Sequence, residues 1–218
     1  MDDAQTQQYE RLHDPSRVLA LSDGVFAIVI TLLVLEIHVP DLTQGQTLKE
    51  ALIEVRPSFL AFLISFVVVA ISWSGHRDLF ALIRRTDRPL VWLNLAYLLP
   101  LSIVPFGASL LARFGRDPVA LRLYGLMLVT IAAMRLVIWL YATGRPHLLY
   151  VPVDAPSRRM GALLVLVPLT CYALAFAIAR SSPTAAFVIY AAVPIVYFIG
   201  VTFARSAGPP GSVEQEFT

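Results

Sequence analysis

The stretch Arg17-Val18-Leu19-Ala20-Leu21-Ser22-Asp23-Gly24-Val25-Phe26-Ala27-Ile28-Val29-Ile30-Thr31-Leu32-Leu33-Val34-Leu35-Glu36 decides the reading of this chain. From Val18 to Val39 the run is apolar and roughly 22 residues long, which as a helix spans ~33 Å, about the hydrocarbon thickness of a bilayer. Asp23 then lies roughly 8 Å inside one boundary, where an ionised carboxylate is disfavoured by about 2.5–3.5 kcal/mol unless it faces protein or water. A carboxylate at that depth marks a functional position by default.

Placing successive residues at ~100° puts Arg17, Leu21, Gly24, Ile28, Leu32, Leu35 and Val39 within about 40° of one line. Asp23 falls some 140° away. The apolar seam and the carboxylate therefore meet different neighbours, which separates two roles on one helix.

Working outward, the rest of the chain is of the same kind. Its 218 residues are 57% hydrophobic and 15% charged, with a mean hydropathy of +0.71, which excludes an ordinary soluble domain. The pattern predicts an all-α integral membrane protein with six spans. The first runs to about His38, and a Thr47-to-Glu50 capping box opens a short amphipathic helix with Leu48, Leu52 and Val55 on one face. The second span covers roughly 58–81, entered through a bend at Arg56-Pro57. The third, about 90–112, holds Asn94, Pro100 and Pro105 and is expected to kink. Spans of about 119–142, 160–179 and 184–204 follow. The chain divides into an N-terminal segment 1–16, a six-helix domain 17–205 and a tail 206–218.

The basic residues are almost all arginine and are unevenly placed. Ten fall on the N-terminal flank, the last turns of span two, the connectors after spans two and four, and the C-terminus: Arg11, Arg17, Arg77, Arg84, Arg85, Arg88, Arg145, Arg158, Arg159 and Arg205. About six fall on the other side. The positive-inside rule places both termini in the cytoplasm, and the expected location is the plasma membrane. The acids preceding the first span and the lack of a small-residue cleavage site argue against a cleavable signal peptide. The single cysteine, Cys171, sits in an apolar run and offers no disulfide or thiol cluster.

The motif Arg17-x-x-x-Leu21-Ser22-Asp23, opening a first membrane helix, resembles the Arg-x-x-x-Phe-Ser-Asp signature of the transmembrane protein 175 family, with Leu21 in the aromatic position. Trp73-x-x-His76, Leu93-Asn94-Leu95 and the stretch from Pro100 to Pro105 are similar to that family's second and third helices. Spans four to six match only as hydrophobic segments. The resemblance implies a potassium-permeable cation channel, a homotetramer for a single six-helix unit, and a pore lined by the first helix of each subunit. It implies that Ile28, Leu32 and Leu35 form a hydrophobic constriction in place of a carbonyl filter. It further implies that Arg17, Ser22, Asp23, Trp73 and His76 join in a polar network, which reads either as fixing the first helix's rotation and changing during gating or as a structural network with no moving part. Without the resemblance, the Ile28, Leu32 and Leu35 spacing reads first as a packing seam.

A hydrophobic ring imposes partial dehydration on a passing ion, and potassium holds its water less tightly than sodium. Two polar residues flank this ring with open readings. Thr31 either presents its hydroxyl to the ion path or bonds its own backbone. Glu36, with Asp41, either forms a carboxylate ring at the mouth or marks the membrane boundary. His76 is also placed to sense pH.

Three further readings bound the chemistry. A proton-coupled secondary transporter would use Asp23 and His76 as a relay, although no internal repeat is visible. A membrane-embedded enzyme or assembly factor would use Gly107-Ala108-Ser109 with His76. His13, His38 and His147 lack metal-ligand spacing, and no phosphate-binding glycine loop or nucleic-acid patch appears. The expected companions are thus lipid, copies of the same chain and permeating K+, with no cofactor, no nucleic acid and no enzymatic activity.

Overall fold

The structure is a computed structural model that describes residues 14–42 and 44–206, with side-chain detail to residue 200. The segment 1–13 and the tail from 207 lie outside the described residues. The described elements are helical throughout: α1 (Ser16–Leu35), α2 (Leu48–Glu54), α3 (Arg56–Phe80), α4 (Arg88–Ser102), α5 (Val104–Phe114), α6 (Pro118–Thr143), a 3-10 turn (Pro146–Leu148), α7 (Ala155–Ile178) and α8 (Pro183–Ser206). Six spans result, because α4 and α5 together form one segment of 27 residues.

Helix ends follow local chemistry. The amide of Ser16 donates to Asp14 Oδ1 at 2.9 Å, which draws the carboxyl of Asp14 below its ordinary value and starts α1. α1 stops at Leu35, three residues before the expected end at His38. Pro40 drives Val39 out of the helical region, and the chain tightens ahead of it through Glu36 N–H to Leu33 O and Ile37 N–H to Val34 O. The capping box forms as expected: Glu50 N–H donates to Thr47 Oγ1 at 3.3 Å, and Thr47 N–H to Glu50 Oε2 at 2.8 Å. On α2 it is Ala51 that is buried, whereas Leu48 and Leu52 are exposed. Asp154 caps α7 through the Ser157 amide, and this helix begins at Ala155, five residues before the expected Met160.

The third span breaks at Ile103 between α4 and α5. Pro105 has no N–H to offer Leu101 O, so the ladder lapses and resumes with Gly107 N–H to Ile103 O at 3.1 Å. The expected kink is therefore a full interruption of the helix.

α6 is the central post, packed against α4, α5, α7 and α8, while α1 packs on α3, α4 and α5. The largest fully buried side chains, Tyr97, Tyr124, Tyr190 and Phe26, tie these layers together. On the arginine-rich face, the connectors after α3 and α6 are joined by a backbone clasp. Ile83 and Leu149 form an antiparallel bridge, with Arg84 N–H donating to Leu148 O at 2.8 Å and Tyr150 N–H to Leu82 O at 3.0 Å. Asp87 completes the clasp. Its Oδ1 caps α4 at Leu90 N–H, and its Oδ2 accepts from Tyr141 Oη at 2.7 Å.

Candidate functional site

The inward face of α1 carries Ser22, Phe26, Val29 and Leu33, all buried. Ser22 is the polar member of this stripe. Its hydroxyl donates to Val18 O at 2.8 Å, which satisfies its proton inside its own helix. The oxygen is left free to accept, and Asn94 Nδ2 on α4 donates to it at 2.9 Å. Because the amide nitrogen of Asn94 points to Ser22, its carbonyl faces the other way. There Oδ1 accepts from His76 Nε2 on α3 at 2.8 Å. One amide thus joins the first three spans: Ser22, Asn94 and His76 are each almost wholly buried.

His76 sits in an aromatic cage. Its ring stacks on Phe80 with centroids 4.3 Å apart and lies parallel to Tyr97 at 5.9 Å, and Phe26 closes the side from α1 at 5.6 Å. Tyr97 is held by its hydroxyl to Ser72 O at 3.3 Å. With Nε2 acting as donor to Asn94, Nδ1 is buried and unpaired. The cage holds the imidazole in one plane, and the amide fixes its rotation.

A second contact lies at the edge of this chain. Trp73 Nε1, one helical turn before His76, donates to Asp23 Oδ1 at 2.9 Å. Asp23 is exposed on the flank of α1, and Arg77 lies over the Trp73 ring at 5.4 Å while pairing with Asp78 at 3.1 Å. Two hydrogen bonds from different helices, to Ser22 and to Asp23, therefore set the rotation of α1 about its axis.

Four of the five residues expected to form the network, Ser22, Asp23, Trp73 and His76, are in fact gathered at this junction. Arg17 is not: it is exposed on the first turn of α1 and makes no hydrogen bond or ion pair among the described residues. Asn94, absent from the expected set, is the residue that connects Ser22 to His76. Its signal was present in the sequence, since it is the only asparagine in the chain and stands in an apolar span.

The opposite face of α1 carries the apolar seam. Ile28, Leu32 and Leu35 are 59%, 41% and 66% exposed, in line with Leu21. Thr31 bonds its own helix, its hydroxyl lying 3.0 Å from Ala27 O and 2.9 Å from Ile28 O. Glu36 caps the C-terminus of α1 and is half-buried, and Asp41 is exposed in the loop beyond. Among the described residues no three His, Cys, Asp or Glu side chains gather as metal ligands.

Six apolar spans pinned at a polar junction between the first three define a multi-pass integral membrane protein. The family described as endosomal/lysosomal potassium channel TMEM175 matches residues 17–105, the segment that contains the whole junction. The chain is 39% identical over 152 residues to a protein from Streptomyces collinus named as a potassium channel, covering 68% of this chain and 74% of that one. It is 38% identical over 146 residues to one from Chamaesiphon minutus, also named as a potassium channel, covering 65% and 72%. The crystal structure of a lysosomal potassium-selective channel TMEM175 homolog from Chamaesiphon minutus superposes with a TM-score of 0.75 at 31% identity, over 88% of this chain and 98% of that chain. The chain belongs to the TMEM175 family. That family is one of ion channels and not of enzymes, which sets aside the enzymatic reading of Ser109 with His76.

Proposed function

We propose that this protein is a potassium-permeable cation channel, a homotetramer in which α1 of each copy lines the pore and Ile28, Leu32 and Leu35 form its constriction. The observation that carries this reading is the division of α1 into two faces. Ser22 and Asp23 are fastened to α4 and α3, and the large aliphatic side chains of Ile28, Leu32 and Leu35 project from the helix with no partner from their own subunit to cover them fully. The identity to proteins named as potassium channels supports the choice of ion.

In this arrangement four isoleucines would meet at one level, excluding water and stripping part of the ion's shell. Potassium is favoured because its shell is the weaker. Thr31, bonded to its own backbone, offers the path only oxygen lone pairs, and Glu36 supplies negative potential at the mouth. The network at Ser22, Asp23, Trp73 and His76 acts as the element that holds or releases the rotation of α1. The arginine-rich face, with both termini, is cytoplasmic, and the channel resides in the plasma membrane, the six-helix domain spanning 17–205 between terminal segments 1–16 and 206–218.

The test is a reversal potential in liposomes under opposed potassium and sodium gradients. Wild-type protein should carry a non-saturating current with a potassium-favouring reversal potential. Ile28→Asn should raise sodium permeability relative to potassium severalfold by letting water stay on the ion. An unchanged ratio in a variant that still assembles would place the constriction elsewhere. Electrically silent, tightly coupled proton exchange would replace the channel with a transporter using Asp23 and His76.

A further inference from the structure

Arg135 lies within the fourth span and is not part of the junction around Asn94. It stands eight residues before the end of α6 at Thr143, so its Cα is ~12 Å below the arginine-rich face. The side chain runs toward that face and lies flat on α3 at Gly75, where a Cβ would overlap the guanidinium carbon and nitrogens. Gly75 is five residues before the end of α3 at Phe80, so the charge reaches to within ~7–8 Å of the boundary. Among the described residues no carboxylate or carbonyl accepts a hydrogen bond from it. Asp78, the nearby acid, is paired with Arg77 at 3.1 Å.

The guanidinium faces a cavity of about 810 Å³ enclosed by α3, α6, α7 and α8. Toward the arginine-rich face it is lined by Arg135, Trp139, Ser74, Leu82 and Asp78, the last paired with Arg77, while Ala70 and Leu164 line the part nearer the bilayer midplane. Trp73 and Leu164 are 37% and 46% exposed, so the wall is open at the surface of the subunit.

A fixed, unpaired guanidinium at headgroup-ester depth above an acyl-sized apolar cavity matches one class of molecule. We infer that this cavity holds an anionic phospholipid of the arginine-rich leaflet, its phosphate on Arg135 and one acyl chain descending past Ala70 and Leu164. Arginine suits this role because its planar fork takes two phosphate oxygens at once, and basic pockets between membrane helices are recognised headgroup sites. The bilayer presents this ligand at the mouth of the cavity at high local concentration.

The chain supplies its own reporter. It has three tryptophans, and Trp73 and Trp139 line the cavity whereas Trp92 does not. The full-length protein carrying Trp92→Phe would be reconstituted in phosphatidylcholine vesicles. Increasing fractions of brominated phosphatidylglycerol, brominated phosphatidylcholine or dibromostearate would then be added. The expected result is quenching by the brominated phosphatidylglycerol at about a tenfold lower mole fraction than by the phosphatidylcholine, the size of one charge-assisted bidentate contact. Arg135→Gln should reduce that preference to less than twofold. Ala70→Phe, which leaves the guanidinium in place and fills the path of the chain, should lower quenching by the phosphatidylglycerol severalfold and guards against misfolding of the arginine variant.

Equal quenching by the two brominated phospholipids in the wild type would overturn the inference, as would a preference unchanged in Arg135→Gln. Quenching by dibromostearate alone would assign the cavity to a free carboxylate amphiphile instead. No quenching above the protein-free background would show the cavity covered by a second copy of the chain.

Discussion

Replacing Asn94 by leucine removes both hydrogen bonds that run through one amide, 2.9 Å to Ser22 and 2.8 Å to His76. Hydrogen bonds between membrane helices contribute about 0.6 kcal/mol on average and at most about 1.7, so the two together contribute roughly 1–3 kcal/mol. Ser22 loses little more, because its proton remains bonded to Val18 O. His76 loses its one partner while Nδ1 is already unpaired, and a buried donor left unsatisfied adds about 1–3 kcal/mol. Asn94→Leu should therefore destabilise the fold by about 2–6 kcal/mol. The assay is unfolding in mixed micelles by sodium dodecyl sulfate titration, followed by circular dichroism. It should be run as a double-mutant cycle with Ser22→Ala, which removes one of the two bonds. The cycle should return a coupling of about 0.6–1.7 kcal/mol between the two positions. Additivity within about 0.3 kcal/mol would refute the view that Asn94 fastens α1 to α4.

Two further predictions concern other contacts. Gly75→Leu should expel the Arg135 guanidinium from α3, because even a Cβ at 75 overlaps it, and should lower the thermal midpoint of the solubilised protein by several degrees, with Arg135→Ala in the same chain restoring most of the loss. At α2, the Thr47 backbone N–H and hydroxyl bond the Glu50 carboxylate and hold it below its ordinary range. A depressed value means the cap is complete above the unfolded-state value near 4.5 and is lost as pH falls through the lower folded-state one. Once the intrinsic pH dependence of exchange is divided out, the protection factors at Ala51 and Leu52 should therefore be highest at neutral pH and fall as the pH drops below about 4.5. Thr47→Ala should lower that protection about fivefold at neutral pH; a wild-type protection factor that stays constant through the acid range would count against the capping box.

Much of this architecture was written in local pattern. Apolar runs of bilayer length gave the six spans, and the Thr47–Glu50 spacing gave its cap. The separation of Asp23 from the Ile28 seam followed from helical periodicity alone. What escaped was pairwise and distant in sequence. Asn94 is separated from Ser22 by 72 positions and from His76 by 18, and an amide's two ends show no direction until both partners are placed. Arg17 satisfies a motif in the sequence yet is left at the surface of the subunit. Gly75 looks like a helix-packing glycine until the guanidinium of Arg135, on another span, is seen occupying the space its side chain would fill. The early stop of α1 was legible in principle, because Pro40 constrains the residue before it, and was misjudged by hydrophobicity running on to Val39.

The clasp between the connectors that follow α3 and α6 makes a hinge pin of the arginine-rich face. Its backbone bonds from Arg84 and Tyr150, with the Tyr141 to Asp87 contact, prevent the adjoining ends of these two helices from sliding past each other. Any tilting of α3 must then pivot there and grow with distance from it. Over the 25 residues of α3, ~37 Å, a swing of about 5° moves the far end by roughly 3 Å. Displacement of that size at the end joined to α2 would leave Trp73 and His76, close to the pivot, almost stationary. The tether on α1 can thus hold steady while the opposite rim of the molecule breathes.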